Sequence, residues 1–344
     1  MIRHLSRLLP TTKSRFCARG AALLSFVAIL LSTSLSQATV IVNDSFDSGS
    51  RSNPPPTLTA PYTTTYSENG TNQDSFPDLS SAWFSNGTGA SMTASTGQMV
   101  ETAGSSSFSG LTYFTAPGYT AQLSLPGDTL VASWTFTTGT VSASNASQTM
   151  YYALVDSSAV ARATADSQGT PSGQFPGYLI LANLSNPLGN SNPFQARKWA
   201  GTSGALVGTS GNWSAVSPVT NNTVSGTHGY DSNTSYTMTW TLTYVSATDL
   251  NVDIKMQQNN GTIDLNNGGL EEVKFDDSSP SSFKYDAFTF RSSGGSASST
   301  SFTTTNFEVT APLVAVPEPT SLVLLGLGAG ALGLCALRRR KNSI

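Results

Sequence analysis

Charge is what this chain has least of. Only 11% of its 344 residues are Asp, Glu, Lys or Arg, against about 25% in soluble domains. It has two cysteines and two histidines. These counts exclude a disulfide-stapled fold, a Cys/His zinc module, a basic nucleic-acid binder and a charged coiled coil. Ser and Thr fill the gap, 96 of them. The apolar share, 38%, still suffices for a core.

The net charge of −3 averages three unlike segments. Residues 1–20 hold five bases (Arg3, Arg7, Lys13, Arg15, Arg19) and no acid. Residues 39–316 hold eight bases against 19 acids. Arg338-Arg339-Arg340-Lys341 close the chain's basic content. Cys17, Cys335 and His4 fall outside the central body, leaving it acidic, thiol-free and with His228 as its sole histidine.

After the basic start, Ala21 to Leu35 is apolar apart from small hydroxyl residues, and Ser36-Gln37-Ala38 is a small-x-small triplet. This order predicts a signal peptide over 1–38, cut after Ala38. The apolar span, about 15 residues, is short for a bilayer crossing that needs about 20. No adjacent Arg pair occurs between Arg3 and Arg19, which points to the general secretory route.

Thr320 to Leu337 is uncharged and mostly apolar. Eighteen helical residues reach about 27 Å, enough for a transmembrane helix. The basic tail 338–341 acts as stop-transfer and keeps that end cytoplasmic, with the body on the far side. Pro317 and Pro319 fix where the helix can begin. Val316-Pro317-Glu318-Pro319, the apolar run and Arg338 to Lys341 together resemble the PEP-CTERM sorting signal. The resemblance covers 316–341 and the signal peptide. It implies a Gram-negative bacterium that makes exopolysaccharide, passage through the inner membrane with the body periplasmic, and handling by an exosortase. That enzyme is a membrane-embedded cysteine peptidase that recognises the Pro-Glu-Pro motif. Delivery to the cell surface or extracellular matrix is the implied end of the route.

The body, 39–315, reads as all-β. Tyr236, Met238, Trp240, Leu242 and Tyr244 alternate with Thr237, Thr239, Thr241 and Thr243, the period-2 mark of a half-buried strand. Leu250, Val252, Ile254 and Met256 alternate likewise, and the break at Ala247-Thr248-Asp249 predicts an antiparallel hairpin. Residues 128–138, 150–155 and 178–184 read as strands. Shorter ones are expected near 40–46, 82–84, 90–94, 111–115, 119–125, 284–290 and 302–309. Residues 48–75 and 292–301 read as loops. More than ten short strands, no helical stripe and no repeat predict a two-sheet antiparallel β-sandwich. Asn43-Asp44-Ser45-Phe46-Asp47, Ala82-Trp83-Phe84, Tyr285 to Phe290 and Thr305 to Val309 resemble the ends of concanavalin A-like jelly rolls. That resemblance implies pairing of the first and last strands, 40–46 beside 302–309.

No catalytic constellation appears. Glycan hydrolases need two carboxylates flanking one bond. Glu68 and Glu101 stand alone, Glu308 lies in the last strand, and Glu271 and Glu272 are adjacent, so on a strand they face opposite ways. Asp249 and Asp253 lie four apart on one strand face. A hydroxyl nucleophile needs a base, and His228 reads as a loop histidine. Calcium wants clustered oxygens. Asp44, Asp47 and Asp286, with Asp276 and Asp277, approach one another if the end strands pair, and are the candidate ligands of a structural calcium; no other cofactor is implied. Trp134 and Trp240 read as core. Trp83, Trp199 and Trp213 have loop-like neighbours and are the candidate carbohydrate contacts. Three functions are left, in order: a non-catalytic exported protein that binds exopolysaccharide, a divergent glycan hydrolase or lyase, and a purely structural or adhesive surface protein.

Overall fold

Threonines on one face and large apolar side chains on the other make 235–246 a strand with one wet side. In a computed structural model of the chain it is one, and its buried and half-buried residues alternate. The structure describes residues 38–312 except 48, 50–81, 88–89, 105–106, 116–119, 144–149, 164, 168–170, 188–193, 208–210, 218–220, 223–228, 260–269 and 293–298. The signal peptide, sorting motif, apolar run 320–337, basic tail, Glu68 and His228 lie outside the described residues, as do most of both expected loops. The chain divides into two units, Gln37–Leu313 and a second made of Met1–Ser36 with Val314–Ile344; every strand belongs to the first.

Twenty strands and no helix occur among the described residues. In chain order they are β1 (Ala38–Asp44), β2 (Ala82–Asn86), β3 (Ser91–Ser95), β4 (Gln98–Thr102), β5 (Phe108–Tyr113), β6 (Ala121–Gln122) and β7 (Thr129–Thr138). Next come β8 (Met150–Val155), β9 (Ser172–Gly173), β10 (Gly177–Ala182), β11 (Phe194–Trp199), β12 (Gly204–Ala205), β13 (Trp213–Ala215) and β14 (Asn221–Asn222). The last are β15 (Ser235–Ser246), β16 (Asp249–Gln258), β17 (Leu270–Asp277), β18 (Lys284–Tyr285), β19 (Ala287–Ser292) and β20 (Ser301–Pro312).

Nine strands form one antiparallel sheet in the order β14-β17-β16-β15-β7-β20-β4-β3, with β1 also paired to β20. Seven form the other, β13-β11-β10-β8-β19-β5-β2. The end strands pair as expected, with Val42 opposite Val309 and Asp44 opposite Phe307. The expected hairpin is present, and Asp249 caps it by accepting from the Ser246 and Thr248 hydroxyls.

Facing side chains of the two sheets form the main core. Trp134 sits at its middle, stacked on Phe136 with centroids 4.0 Å apart and on Phe290 at 4.6 Å. Its indole N–H donates to Thr304 Oγ1 at 3.0 Å, so burial leaves no orphan donor. Outside, the hydroxyls of β7 and β15 pair across strands, Thr135 with Thr237 at 3.0 Å and Thr129 with Thr243 at 3.2 Å. Such cross-strand pairs stabilise a solvated sheet face.

One strand reading needs correction, and several strands were not read from the sequence. The stretch 119–125 yields only β6, because both backbone N–H groups of Ser124 and Leu125 turn onto the Asp128 carboxylate at 2.8 Å. The strands β4, β11, β13 and β17 lack a legible alternation. In β17 the outward positions are charged: Lys274 stands opposite Asp253 and Glu272 opposite Lys255. Their ion pairs, down to 2.7 Å for Lys274–Glu272, satisfy that face.

Candidate ligand face

The seven-stranded sheet is apolar on both sides. Its inner side enters the main core. Its outer side carries Phe84, Leu111, Tyr113, Tyr151, Leu179 and Trp199 in a second buried cluster. The chain itself covers that side. Phe175, Leu206 and Val207 pack onto it, and a two-rung ladder of β9 with β12 ties the cover together. A depression beneath Leu206 and Val207, floored by Phe84, Leu111 and Thr289, holds only about 10 Å³ of free space. That is room for one water, far below the several hundred Å³ of a small-molecule pocket.

Arginines fasten the cover. Arg162 donates to the Thr115 carbonyl and hydroxyl and to Asp286 Oδ2 at 2.8 Å, and its guanidinium lies 4.6 Å from the Tyr113 ring centre. Arg291 donates to the Val207 carbonyl, its guanidinium 5.8 Å from the Tyr151 ring centre. Arg197, by contrast, stays within the sheet and donates to the Trp213 carbonyl on the neighbouring strand β13 at 3.0 Å. These are three of the four arginines between 39 and 316.

The three candidate tryptophans all sit on strands rather than loops. Trp83, in β2, is fully buried. It points inward, edge-on to Phe307 at 5.3 Å, and its Nε1 donates to Asp44 Oδ2 at 3.3 Å across the two sheets. It therefore acts as a core tie, with no face open to a sugar. Trp199 and Trp213 stand opposite each other on β11 and β13 and pack edge-to-face at 5.0 Å. They are 5% and 2% exposed, so their rings also lack an open face. Their position does place them on the outer side of the seven-stranded sheet. The Trp213 Nε1 and the Arg197 Nε are buried donors with no acceptor.

The candidate calcium ligands are not brought together. No group of three or more His, Cys, Asp or Glu residues forms a metal-binding set among the described residues. Asp44 accepts from Trp83 and from the Phe46 N–H. Asp286 accepts from the Ser157 N–H at 2.6 Å, the Ser157 hydroxyl at 2.9 Å and Arg162. Burial pushes its carboxyl above the ordinary range, against the pull of Arg162. Asp277 takes the Tyr178 phenol and the Lys198 ammonium, each at 2.8 Å. Asp47 is half-buried and Asp276 exposed.

Two further carboxylates are held by lysines. Asp253 lies in the ion-pair network of Lys255 and Lys274. Glu272 would be raised by burial, but the same two lysines hold it below the usual range. Glu101 is buried and Glu308 half-buried. Ala38 opens β1 opposite Pro312. The residues that sequence reasoning missed are Arg162, Arg197 and Arg291; their scarcity in a body of eight bases was the available signal.

No curated protein sequence matches this chain. Among solved structures it is similar to the metal-free Emp46p carbohydrate recognition domain, at 18% identity over 66% of this chain and 87% of that one, TM-score 0.38. It is similar to metal-free lectin I-B4 from Griffonia simplicifolia, at 11% identity over 67% and 93%, TM-score 0.38. It is also similar to the metal-free VIP36 exoplasmic/lumenal domain, at 10% identity over 81% and 95%, TM-score 0.41. At such scores the likeness says nothing about what the body binds. At the other end of the chain, residues 315–341 match the family model described as the PEP-CTERM protein-sorting motif, and the chain carries that motif.

Proposed function

We propose that this is an exported, exosortase-sorted protein of the cell envelope or extracellular matrix, whose β-sandwich body binds polysaccharide without turning it over. Export begins with the signal peptide 1–38, cleaved after Ala38. The helix 320–337 and the basic residues Arg338, Arg339, Arg340 and Lys341 hold the chain in the inner membrane with the body periplasmic. The exosortase then reads Val316-Pro317-Glu318-Pro319. The observation that carries this reading is the PEP-CTERM motif at 315–341, three residues after the last strand of the sandwich. The non-catalytic part is supported by the commitment of Asp44, Asp253, Asp277 and Asp286 to structural partners. Exopolysaccharide is the partner that such a sorting route offers.

The test changes Glu318→Ala, or deletes 317–341, in the native host. A changed mature mass or a changed location is expected. An identical mass and location for the variant defeats the sorting reading.

A further inference from the structure

Among the described residues, the large apolar side chains that stand open to solvent are Val40 at 39%, Leu125 at 52% and Val245 at 43%. All lie at one end of the nine-stranded sheet. Val40 stands opposite Thr310 of β20, and Thr310 opposite Val131 of β7. Val131 in turn stands opposite Thr241 of β15, four positions before Val245. Leu125 sits in the turn that leads into β7. That turn is pinned to the end of β15, where the Gly127 N–H donates to the Tyr244 carbonyl at 3.0 Å and the Tyr244 N–H to the Asp128 carbonyl at 2.8 Å. From β1 to β15 is three strand spacings, about 14 Å.

Single exposed apolar residues are ordinary on a surface, but a cluster marks an interaction site. These residues also break the habit of their own elements. The outward positions of β15 are Thr237, Thr239, Thr241 and Thr243, and those of β7 are Thr129, Ser133, Thr135 and Thr137, with Val131 the exception. Val245 follows that series as the bulged residue of β15, without a partner in the register with β16. A bulge re-aims a side chain. Leu125 stands in Ser-Leu-Pro-Gly-Asp, where the other four residues are turn formers. Beside them Tyr244 and Phe283, both half-buried, pack with ring centres 5.1 Å apart. The neighbouring acids are turned to local donors. Asp128 holds the Ser124 and Leu125 N–H groups, and Asp249 the Ser246 and Thr248 hydroxyls.

The chain leaves the sandwich at this same end. β20 finishes at Pro312 beside Ala38, two positions beyond the pair of Thr310 with Val40. Only residues 313–319 separate Pro312 from the apolar run 320–337. Fully extended, that stretch reaches at most about 28 Å. A chain anchored through the run keeps this end of the sheet within that distance of lipid, and so short a tether makes even a weak contact effective.

We propose that Leu125, Val245 and Val40 form a membrane-docking surface, which rests in the lipid interface while the sorting signal anchors the chain. Leu125 on a turn and Val245 on a bulge give a projecting apolar surface, the kind that enters the boundary between headgroups and acyl chains. The half-buried Tyr244 and Phe283 behind them are the residue types that suit that boundary. The proposal rests on the anchored stage of the sorting reading above.

The full chain, with Cys17→Ser and Cys335→Ser, is reconstituted into phosphatidylcholine vesicles. A fluorophore is attached through Ala247→Cys, beside Val245, or through Gln257→Cys, exposed at the far end of the same hairpin. Nitroxide-labelled lipid should quench the probe at 247 several-fold more than the probe at 257. The difference should persist in 1 M salt, because it is apolar in origin. Leu125→Ser with Val245→Thr restores the hydroxyl habit of the body, should leave thermal unfolding unchanged, and should bring quenching at 247 down to that at 257. Equal quenching at the two positions in the parent chain overturns the proposal and leaves anchoring standing, since the tether alone explains it. Unchanged quenching at 247 in the double variant overturns it as well. Quenching at 247 that appears only when the exosortase is reconstituted alongside also overturns it, and makes the surface a peptidase contact. A chain that fails to float with the vesicles overturns the anchored reading together with the proposal.

Discussion

Replacing Arg162 by Met tests whether the cover over the seven-stranded sheet is held by one buried ion pair. Asp286 is fully buried, and the Arg162 side chain is only 13% exposed. The carboxylate accepts three bonds, two from Ser157 and one from Arg162. Met fills much of the arginine volume and removes the charge, so the change isolates electrostatics from packing. Breaking a buried pair by removing one partner costs about 3–5 kcal/mol. The lost bonds to Thr115 add to that, while the retained Ser157 donors soften it. A net loss of about 4 kcal/mol at pH 7 is expected. The loss should depend on pH. Asp286 is already raised by burial, and without Arg162 it rises further. A carboxyl raised above its unfolded value contributes stability below the unfolded pKa, about 3.9, and loses it as pH climbs toward the folded pKa. The variant's deficit should therefore shrink as the pH is lowered from 7 toward 4.5. Urea unfolding read by tryptophan fluorescence measures it. At about 3 kcal/mol/M for a chain of this size, the midpoint should fall by more than 1 M. The double variant Arg162→Met, Asp286→Asn should recover much of the loss, because no unpaired charge is left buried and the amide oxygen still accepts from Ser157. A single-variant cost below about 1 kcal/mol, or a double variant as unstable as the sum of the singles, refutes the argument.

Other changes probe other levels of the fold. Gly177 has φ +147°, and a Cβ there would stand 2.3 Å from the Leu154 carbonyl oxygen on the neighbouring strand. Gly177→Ala should therefore cost more than about 2 kcal/mol, seen as a drop of several degrees in Tm. The Glu272 carboxylate is held low by Lys255 and Lys274, so its contribution is present above pH about 4.3 and fades as the pH falls through its folded value. Glu272→Gln should flatten the acid limb of the stability curve only slightly, and 1 M salt should erase the difference, because the lysines are partly exposed and screened.

Much of the body was legible because its strands state their burial in their composition. In β15 the alternation of Thr with Tyr, Met, Trp and Leu needs no tertiary context. The pairing of β1 with β20 followed from short motifs at Asn43 and Thr305. Where strands are buried on both sides, as in β8 and β10, the period vanishes but the unbroken apolar run survives. Legibility ends where burial comes from the chain's own loops. Nothing local in Phe-Gln-Ala-Arg-Lys-Trp says that Trp199 packs on Trp213, or that a cover from residues beyond Ser172 lies over it. Those contacts depend on which outer face a neighbouring loop happens to cross, and a loop carries no period to announce its path. The same logic explains the aspartates. Asp44, Asp277 and Asp286 looked alike as ligands in sequence, because a carboxylate that binds a cation and one that fastens an indole, a phenol or a guanidinium share one composition. What separates them is whether a donor from a distant strand arrives first. Here Trp83, Tyr178 and Arg162 do, each from more than 35 positions away. The converse holds for Arg197 and Arg291, where no acid arrives among the described residues. In a body with so few bases, a guanidinium left without its carboxylate is the feature that composition alone predicts least and the folded chain displays most plainly.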